Sequence, residues 1–115
     1  MEKTIMAIEQ VAGVLKLFGD KTRLAMISLL AHNECCVCEF VEIFQMSQPA
    51  ISQHLRKLKD SGLVKERRSG QWMFFSLNKE NEAYPLIRSL LPHVPDQKER
   101  LEALEAEGLR MSCCD

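Results

Sequence analysis

The tightest constraint on how this chain can fold is a three-residue break, Gln45-Met46-Ser47, between two amphipathic stretches. Before it, Val37, Phe40, Val41 and Phe44 recur at i, i+3, i+4 and i+7, the spacing of one helix face, and predict a helix over about 36–45. After it, Ser47 is a good N-cap, because its hydroxyl can accept a backbone N–H that the first turn leaves unpaired. Pro49 then falls in the first turn, where a missing N–H costs nothing. The helix that follows buries Ile51, Leu55 and Leu58. Gly62 suits the left-handed position past its end, and Leu63 can fold back on Leu58. A break this short holds the two helices against each other, as in a helix-turn-helix.

The flanks extend the pattern. Ile5, Ile8, Ala12 and Leu15 repeat at helical spacing, with Val11, Val14 and Phe18 widening the stripe. So broad an apolar surface predicts burial on two sides, one of them against another subunit. Gly19 ends that helix and Asp20 caps the next, whose Leu24, Ile27, Leu30 and Ala31 face one way. Residues 63–68 and 71–77 are expected strands around a Ser69-Gly70 hairpin turn. A further helix starts near Glu82, with Pro85 in its first turn, and ends before Pro92. The expected fold is mainly α with a small β-hairpin: a dimeric winged helix-turn-helix. Residues 1–95 form the DNA-binding and dimerisation domain. Residues 96–115 form a charged helical extension, with a weak Leu101, Leu104 stripe and a Cys-Cys tail.

The chain's net charge is -1, which excludes a protein that coats nucleic acid by bulk charge. Its basic residues are nonetheless concentrated. Between Ser47 and Trp72, Arg56, Lys57, Lys59, Lys65, Arg67 and Arg68 stand against only Asp60 and Glu66, a local +4. With Ile51, Leu55 and Leu58 inward, Pro49, Ser52, Gln53, Arg56 and Lys57 point outward. Gln and Ser near a helix start can hydrogen-bond base edges, while Arg and Lys suit phosphates. The expected DNA-contacting set is Ser47, Gln48, Ser52, Gln53, His54, Arg56, Lys57, Arg67, Arg68 and Gln71. His54 lies at the edge of the buried stripe, where packing or capping serves equally well. Trp72 is expected to pack on the hairpin rather than stack on a base. A solvated face and a basic turn would account for the charge alone, but not for helix, tight turn, capped helix and basic hairpin in this order.

Five cysteines fall in two groups, Cys35, Cys36 and Cys38, and Cys113 and Cys114. The N-terminus has no signal-peptide core and no apolar run approaches the ~18 residues of a membrane span, so a cytoplasmic protein without a membrane is expected. An odd number of thiols there argues against a disulfide scaffold. Clustered thiols bind soft ions, with a helix N-terminus favouring the thiolate. Three sulfurs suit trivalent arsenic, whose lone pair stands where a fourth ligand would go. Cys35, Cys36 and Cys38 are the expected metal site, with the third sulfur open between Cys35 and the tail pair. In a regular helix Cys35 lies near Cys38, but Cys36 points about 160° away from Cys38. Cys36 and Cys38 are therefore expected to share one ion only if the first turn unwinds. The tail pair is a flexible end, a separate site, or the source of a third ligand.

The run Ser47-Gln48-Pro49-Ala50-Ile51-Ser52-Gln53-His54-Leu55-Arg56-Lys57-Leu58, followed by Gly62-Leu63-Val64, resembles the recognition helix and first wing strand of the ArsR/SmtB family of dimeric, metal-responsive repressors. Asp20-Lys21-Thr22-Arg23-Leu24 is similar to their second-helix start, with Lys21 where proline is usual. The resemblance covers about 15–91. Cys36-Val37-Cys38 matches the Cys-Val-Cys of the arsenic-responsive members, with Cys35 at a position usually leucine and Val41 where some carry another cysteine. It implies As(III) or Sb(III) as inducer and no organic cofactor. Cadmium and lead sensors of the family add N-terminal cysteines, and zinc sensors use Asp and His pairs before the tail. This chain has no cysteine before Cys35 and one histidine, His93, over 80–93.

The function expected is a repressor that leaves operator DNA when As(III) or Sb(III) binds. A redox switch on the same scaffold, through oxidation of Cys35, Cys36 and Cys38, is the alternative. A thiol-dependent arsenate reductase needs an anion-binding loop beside its nucleophile. The stretch 35–44 has no Gly and no Arg, so an enzyme is not expected.

Overall fold

The computed structural model describes residues 6–95 together with Gln97, Glu99 and Glu102. The elements are α1 (Ile8–Phe18), α2 (Lys21–Leu30), β1 (Cys35–Cys36), α3 (Val37–Phe44), α4 (Gln48–Asp60), β2 (Val64–Ser69), β3 (Trp72–Leu77) and α5 (Tyr84–Leu90), ending in a 3-10 turn over Leu91–His93. The three strands form one antiparallel sheet in the order β1-β3-β2. Ile5, Leu101, Leu104, Cys113 and Cys114, and with them most of the expected extension, lie outside the described residues.

Local chemistry sets the boundaries. Asp20 caps α2, its carboxylate accepting the Thr22 and Arg23 amides at 2.8 and 3.1 Å. Ser47 Oγ accepts the Ala50 amide at 3.3 Å and Pro49 sits in the first turn of α4. That helix ends as expected, with Gly62 at φ 80°. The Gly62 and Leu63 amides donate back to Lys59 and Leu58. A side chain at Gly62 would also meet the Asn81 amide at 2.8 Å, so two constraints hold glycine there.

The core gathers around α2 and the α3–α4 pair. Met26, Ile27, Leu29, Phe40, Ile51, Leu55, Leu58, Leu63 and Ile87 are fully enclosed. Each such side chain contributes roughly 1.5–3 kcal/mol relative to exposure. The second half of α2 is buried on all sides rather than along one stripe, while Ala31 is exposed. On α1, Val14 and Phe18 face this core, whereas Ile8 and Leu15 remain 77 % and 48 % exposed. That helix has the expected inward face and leaves a second apolar surface open.

Three expectations are corrected. Helix α3 begins at Val37, because Cys35 and Cys36 are extended and pair with Phe75 and Phe74 of β3. Two residues show no periodicity of their own, and the strand exists only through its long-range pairing. The wing turn is Gly70-Gln71 rather than Ser69-Gly70, since Ser69 and Trp72 still pair. Gly70 takes φ 63° as the first turn residue, the position a Gly-first hairpin turn requires. Finally, α5 starts at Tyr84, two residues after the expected start. Its lead-in is organised by Asn81, whose side-chain oxygen accepts the Ala83 amide at 2.7 Å.

Candidate nucleic-acid interface and thiol site

Helix α4 presents Gln48, Pro49, Ser52, Gln53, Arg56 and Lys57 to solvent, opposite buried Ile51, Leu55 and Leu58. Gln71 is exposed at the wing turn and Arg68 on the adjoining strand. Among the described residues, Arg56, Lys57 and Arg68 are in neither of the ion pairs formed, so their charges face water. This is the surface a winged helix-turn-helix offers to a duplex, with α4 for the major groove and the hairpin beside it.

Other members of the expected set are committed elsewhere. Ser47 spends its hydroxyl on the cap. Lys59, outside that set but part of the basic cluster, pairs with Glu66 of the wing. His54 turns toward α2, where Arg23 Nη1 donates to its Nδ1 at 3.1 Å, and Arg23 Nε donates to the Leu17 carbonyl at 2.8 Å. Burial pushes the His54 pKa below its ordinary value; Arg23 and Lys57 act the same way and Asp20 opposes them. The neutral ring therefore fastens the recognition helix to the α1–α2 corner. Arg67 is held by Glu34 in a two-pronged pair, Nε to Oε2 at 3.0 Å and Nη2 to Oε1 at 2.7 Å. Its guanidinium also lies 5.0 Å from the Phe74 ring centroid. Hydrogen bonding from Arg67 lowers the pKa of Glu34.

The three cysteines divide between the two faces of the sheet. Cys35 is fully buried in the main core beside Phe75, and its thiol is directed at the Asn33 carbonyl, 3.8 Å away. Cys36, itself only 2 % exposed, lies on the opposite face of the sheet with buried Phe74, against half-buried Cys38 and Trp72. Its backbone is extended, φ -99° and ψ 166°, at the N-cap of α3, and its Sγ lies 2.7 Å from the Cys38 Sγ. The expectation that these sulfurs meet only if a helical turn unwinds is thus overturned. Cys36 was never inside the helix, and the extended N-cap turns its side chain toward the first turn. The structure brings Cys36 and Cys38 together and puts Cys35 on the opposite face. Among the described residues no cluster of three or more Cys, His, Asp or Glu surrounds a common point.

Three residues given no part in it by the sequence reading support this site: Glu39 and Glu34, which that reading passes over, and Trp72, which it places only as packing on the hairpin. Glu39 is fully buried, and its carboxylate accepts the Cys36 amide at 2.9 Å. The signal was there as Cys36-x-x-Glu39, the spacing of a capping box. Trp72 forms a wall of the site. Glu34 could not be found, because its partner Arg67 is 33 residues away. An open groove of about 390 Å³ runs from Cys36 and Cys38 to Gln48 at the start of α4 and Gln71 in the wing turn. Cys36 and Cys38 therefore share a space with the start of α4 and the wing turn.

Residues 20–66 match the family model "Bacterial regulatory protein, arsR family". The arsenic resistance transcriptional regulator ArsR1 of Pseudomonas putida is 36% identical over 100 residues, 86% of this chain and 75% of that protein. The arsenical resistance operon repressor of Escherichia coli is 31% identical over 106 residues, 87% of this chain and 86% of that one. Among solved structures, the homodimeric winged helix-turn-helix DNA-binding domain Mb0332 of Mycobacterium bovis superimposes with a TM-score of 0.62 at 30% identity, covering 74% of this chain and 81% of that chain. Sequence, fold and the order of elements agree: this chain belongs to the arsR family of bacterial regulatory proteins, winged helix-turn-helix regulators of transcription.

Proposed function

We propose that the chain is a metalloid-responsive repressor that binds operator DNA as a homodimer and is released when As(III) or Sb(III) binds Cys36 and Cys38. The observation that carries this reading is the 2.7 Å approach of the two sulfurs, in a groove bounded by Gln48 and Gln71. In the reduced protein each of the two thiols replaces one hydroxide of arsenite and releases a water, with no change of oxidation state. The ion then joins β1 to the first turn of α3 and enters the groove between recognition helix and wing. DNA needs those two elements in one relative placement, so a ligand that alters it lowers DNA affinity. Gln48, Ser52, Gln53 and Gln71 read bases, and Arg56, Lys57 and Arg68 position the duplex. The exposed Ile8 and Leu15 of α1, with half-buried Leu86, Leu90 and Leu91 around α5, form the subunit interface.

Trivalent arsenic takes three sulfurs, and Cys35 would have to leave the core to become the third. Cys113 and Cys114 are 16 and 17 residues past Gln97, a reach of roughly 50–60 Å when extended. The tail pair is the better donor, to its own site or its partner's. X-ray absorption of the arsenite complex should show three sulfurs in the wild type and in Cys35→Ala, and two with one oxygen in the Cys113→Ser, Cys114→Ser variant. Loss of a sulfur in Cys35→Ala alone would assign the third position to the core thiol, and an arsenic free of sulfur would refute the site.

The same sulfur approach favours one other reading, oxidation of Cys36 and Cys38 to a disulfide as the signal. Release by arsenite with the thiols kept fully reduced separates the two.

A further inference from the structure

Glu34, Cys36, Phe74 and Arg67 form a continuous line across the outer face of the sheet. Phe74 pairs with Cys36 on one side and with Arg67 on the other. Arg67 stacks on the Phe74 ring and grips Glu34, two residues before Cys36, with both prongs of its guanidinium. The wing is thereby fastened to the strand that carries Cys36. A basic residue on a wing is ordinarily assigned to phosphate. Here the fork is already filled by a carboxylate whose planar geometry matches it. Solvent screens this pair, so its contribution to stability is small. Its geometry is nonetheless specific, because two hydrogen bonds and a ring contact fix one orientation of the wing relative to β1.

We propose that Arg67 is a positioning residue for the response rather than a phosphate anchor: through Glu34 and Phe74 it transmits movement of Cys36 to the wing, and wing engagement by DNA back to Cys36. This deepens the proposed function and rests on it for the identity of the ligand, but not for the coupling itself. Coupling through such a contact is reciprocal. Occupancy of the wing must therefore change the environment of Cys36 and Cys38 even with no metalloid present.

The test uses the full-length chain and DNA from upstream of its own gene. Glu34→Gln keeps every cysteine and Arg67 while removing the charge that Arg67 grips. Arg67→Lys keeps the charge and loses the fork. Three quantities are read in each protein after full reduction: the salt dependence of DNA binding, the arsenite-induced fold-change in DNA Kd, and the alkylation rate of Cys36 and Cys38 by iodoacetamide with and without DNA. In the wild type, DNA should change the alkylation rate several-fold. In Glu34→Gln and Arg67→Lys this dependence should fall to within about twofold of none. The arsenite-induced change should shrink with it, from the ~5–150-fold typical of such couplings towards unity, while the salt slope stays put. If Glu34→Gln instead binds DNA more tightly, steepens the salt slope by about one per subunit and keeps both DNA-dependent alkylation and the arsenite response, Arg67 is a phosphate ligand and the proposal falls. Should wild-type arsenite release fail while DNA-dependent alkylation is present and lost in Glu34→Gln, the coupling stands and only the identity of the inducer is wrong. Wild-type alkylation indifferent to DNA overturns the coupling.

Discussion

Replacing Cys36 and Cys38 together by Ser should leave operator affinity within about twofold of wild type and abolish release by arsenite. Serine is nearly the size of cysteine, but its hard hydroxyl is a poor ligand for a soft ion. The fold should survive, and for Cys36 there is a specific reason. This residue is the N-cap of α3, and Glu39 already accepts its amide at 2.9 Å. A hydroxyl at the N-cap with Glu three residues on is the preferred capping-box chemistry, so Cys36→Ser should not weaken the helix start. The arsenite-induced change in DNA Kd, ~5–150-fold in couplings of this kind, should collapse to one. Electrophoretic mobility shift with arsenite titrated under reducing conditions reads this directly. A double variant still released at wild-type arsenite concentrations would move sensing to the tail pair.

The second large effect is on salt. Although the chain is net acidic, the surface proposed to face DNA is not, and in the proposed dimer Arg56, Lys57 and Arg68 of each subunit would give about six phosphate contacts. Affinity should then fall by roughly 10³ between 50 and 200 mM salt. Arg68→Ala should weaken binding to all sequences alike and reduce the slope by about one per subunit. Gln53→Ala should instead change sequence preference at a nearly constant slope. Fluorescence anisotropy against salt for specific and random duplexes distinguishes them. Identical behaviour of the two variants would contradict the division between positioning and reading residues.

Much of this architecture is legible in the sequence because its signals are local. Asp20 and Ser47 cap the helices they precede, Gly62 ends α4, and the Ile51, Leu55, Leu58 stripe orients it. These features depend on neighbours within about four residues, where helical periodicity applies. The thiol site depends on distant ones. Cys35 and Cys36 are a strand only because Phe74 and Phe75, some 40 residues later, pair with them. That pairing reverses the geometry a helix would give, separating Cys35 from Cys38 and joining Cys36 to it. The same limit applies to charge. Lys59 and Arg67 look like free phosphate ligands until the sheet brings Glu66 and Glu34 to them. His54 looks like a base contact until α2 supplies Arg23.

The most direct measurement is the arsenite affinity of the free protein against that of the protein saturated with operator DNA. Trp72, the chain's one tryptophan, is half-buried against the Cys36–Cys38 site and provides the signal. Binding linkage requires DNA to weaken arsenite by the factor by which arsenite weakens DNA. The expected result is two isotherms separated by that factor, with no separation in the Cys36→Ser, Cys38→Ser variant. Superimposed wild-type isotherms would mean that arsenite favours neither state and therefore releases nothing, which would contradict a repressor induced at this site.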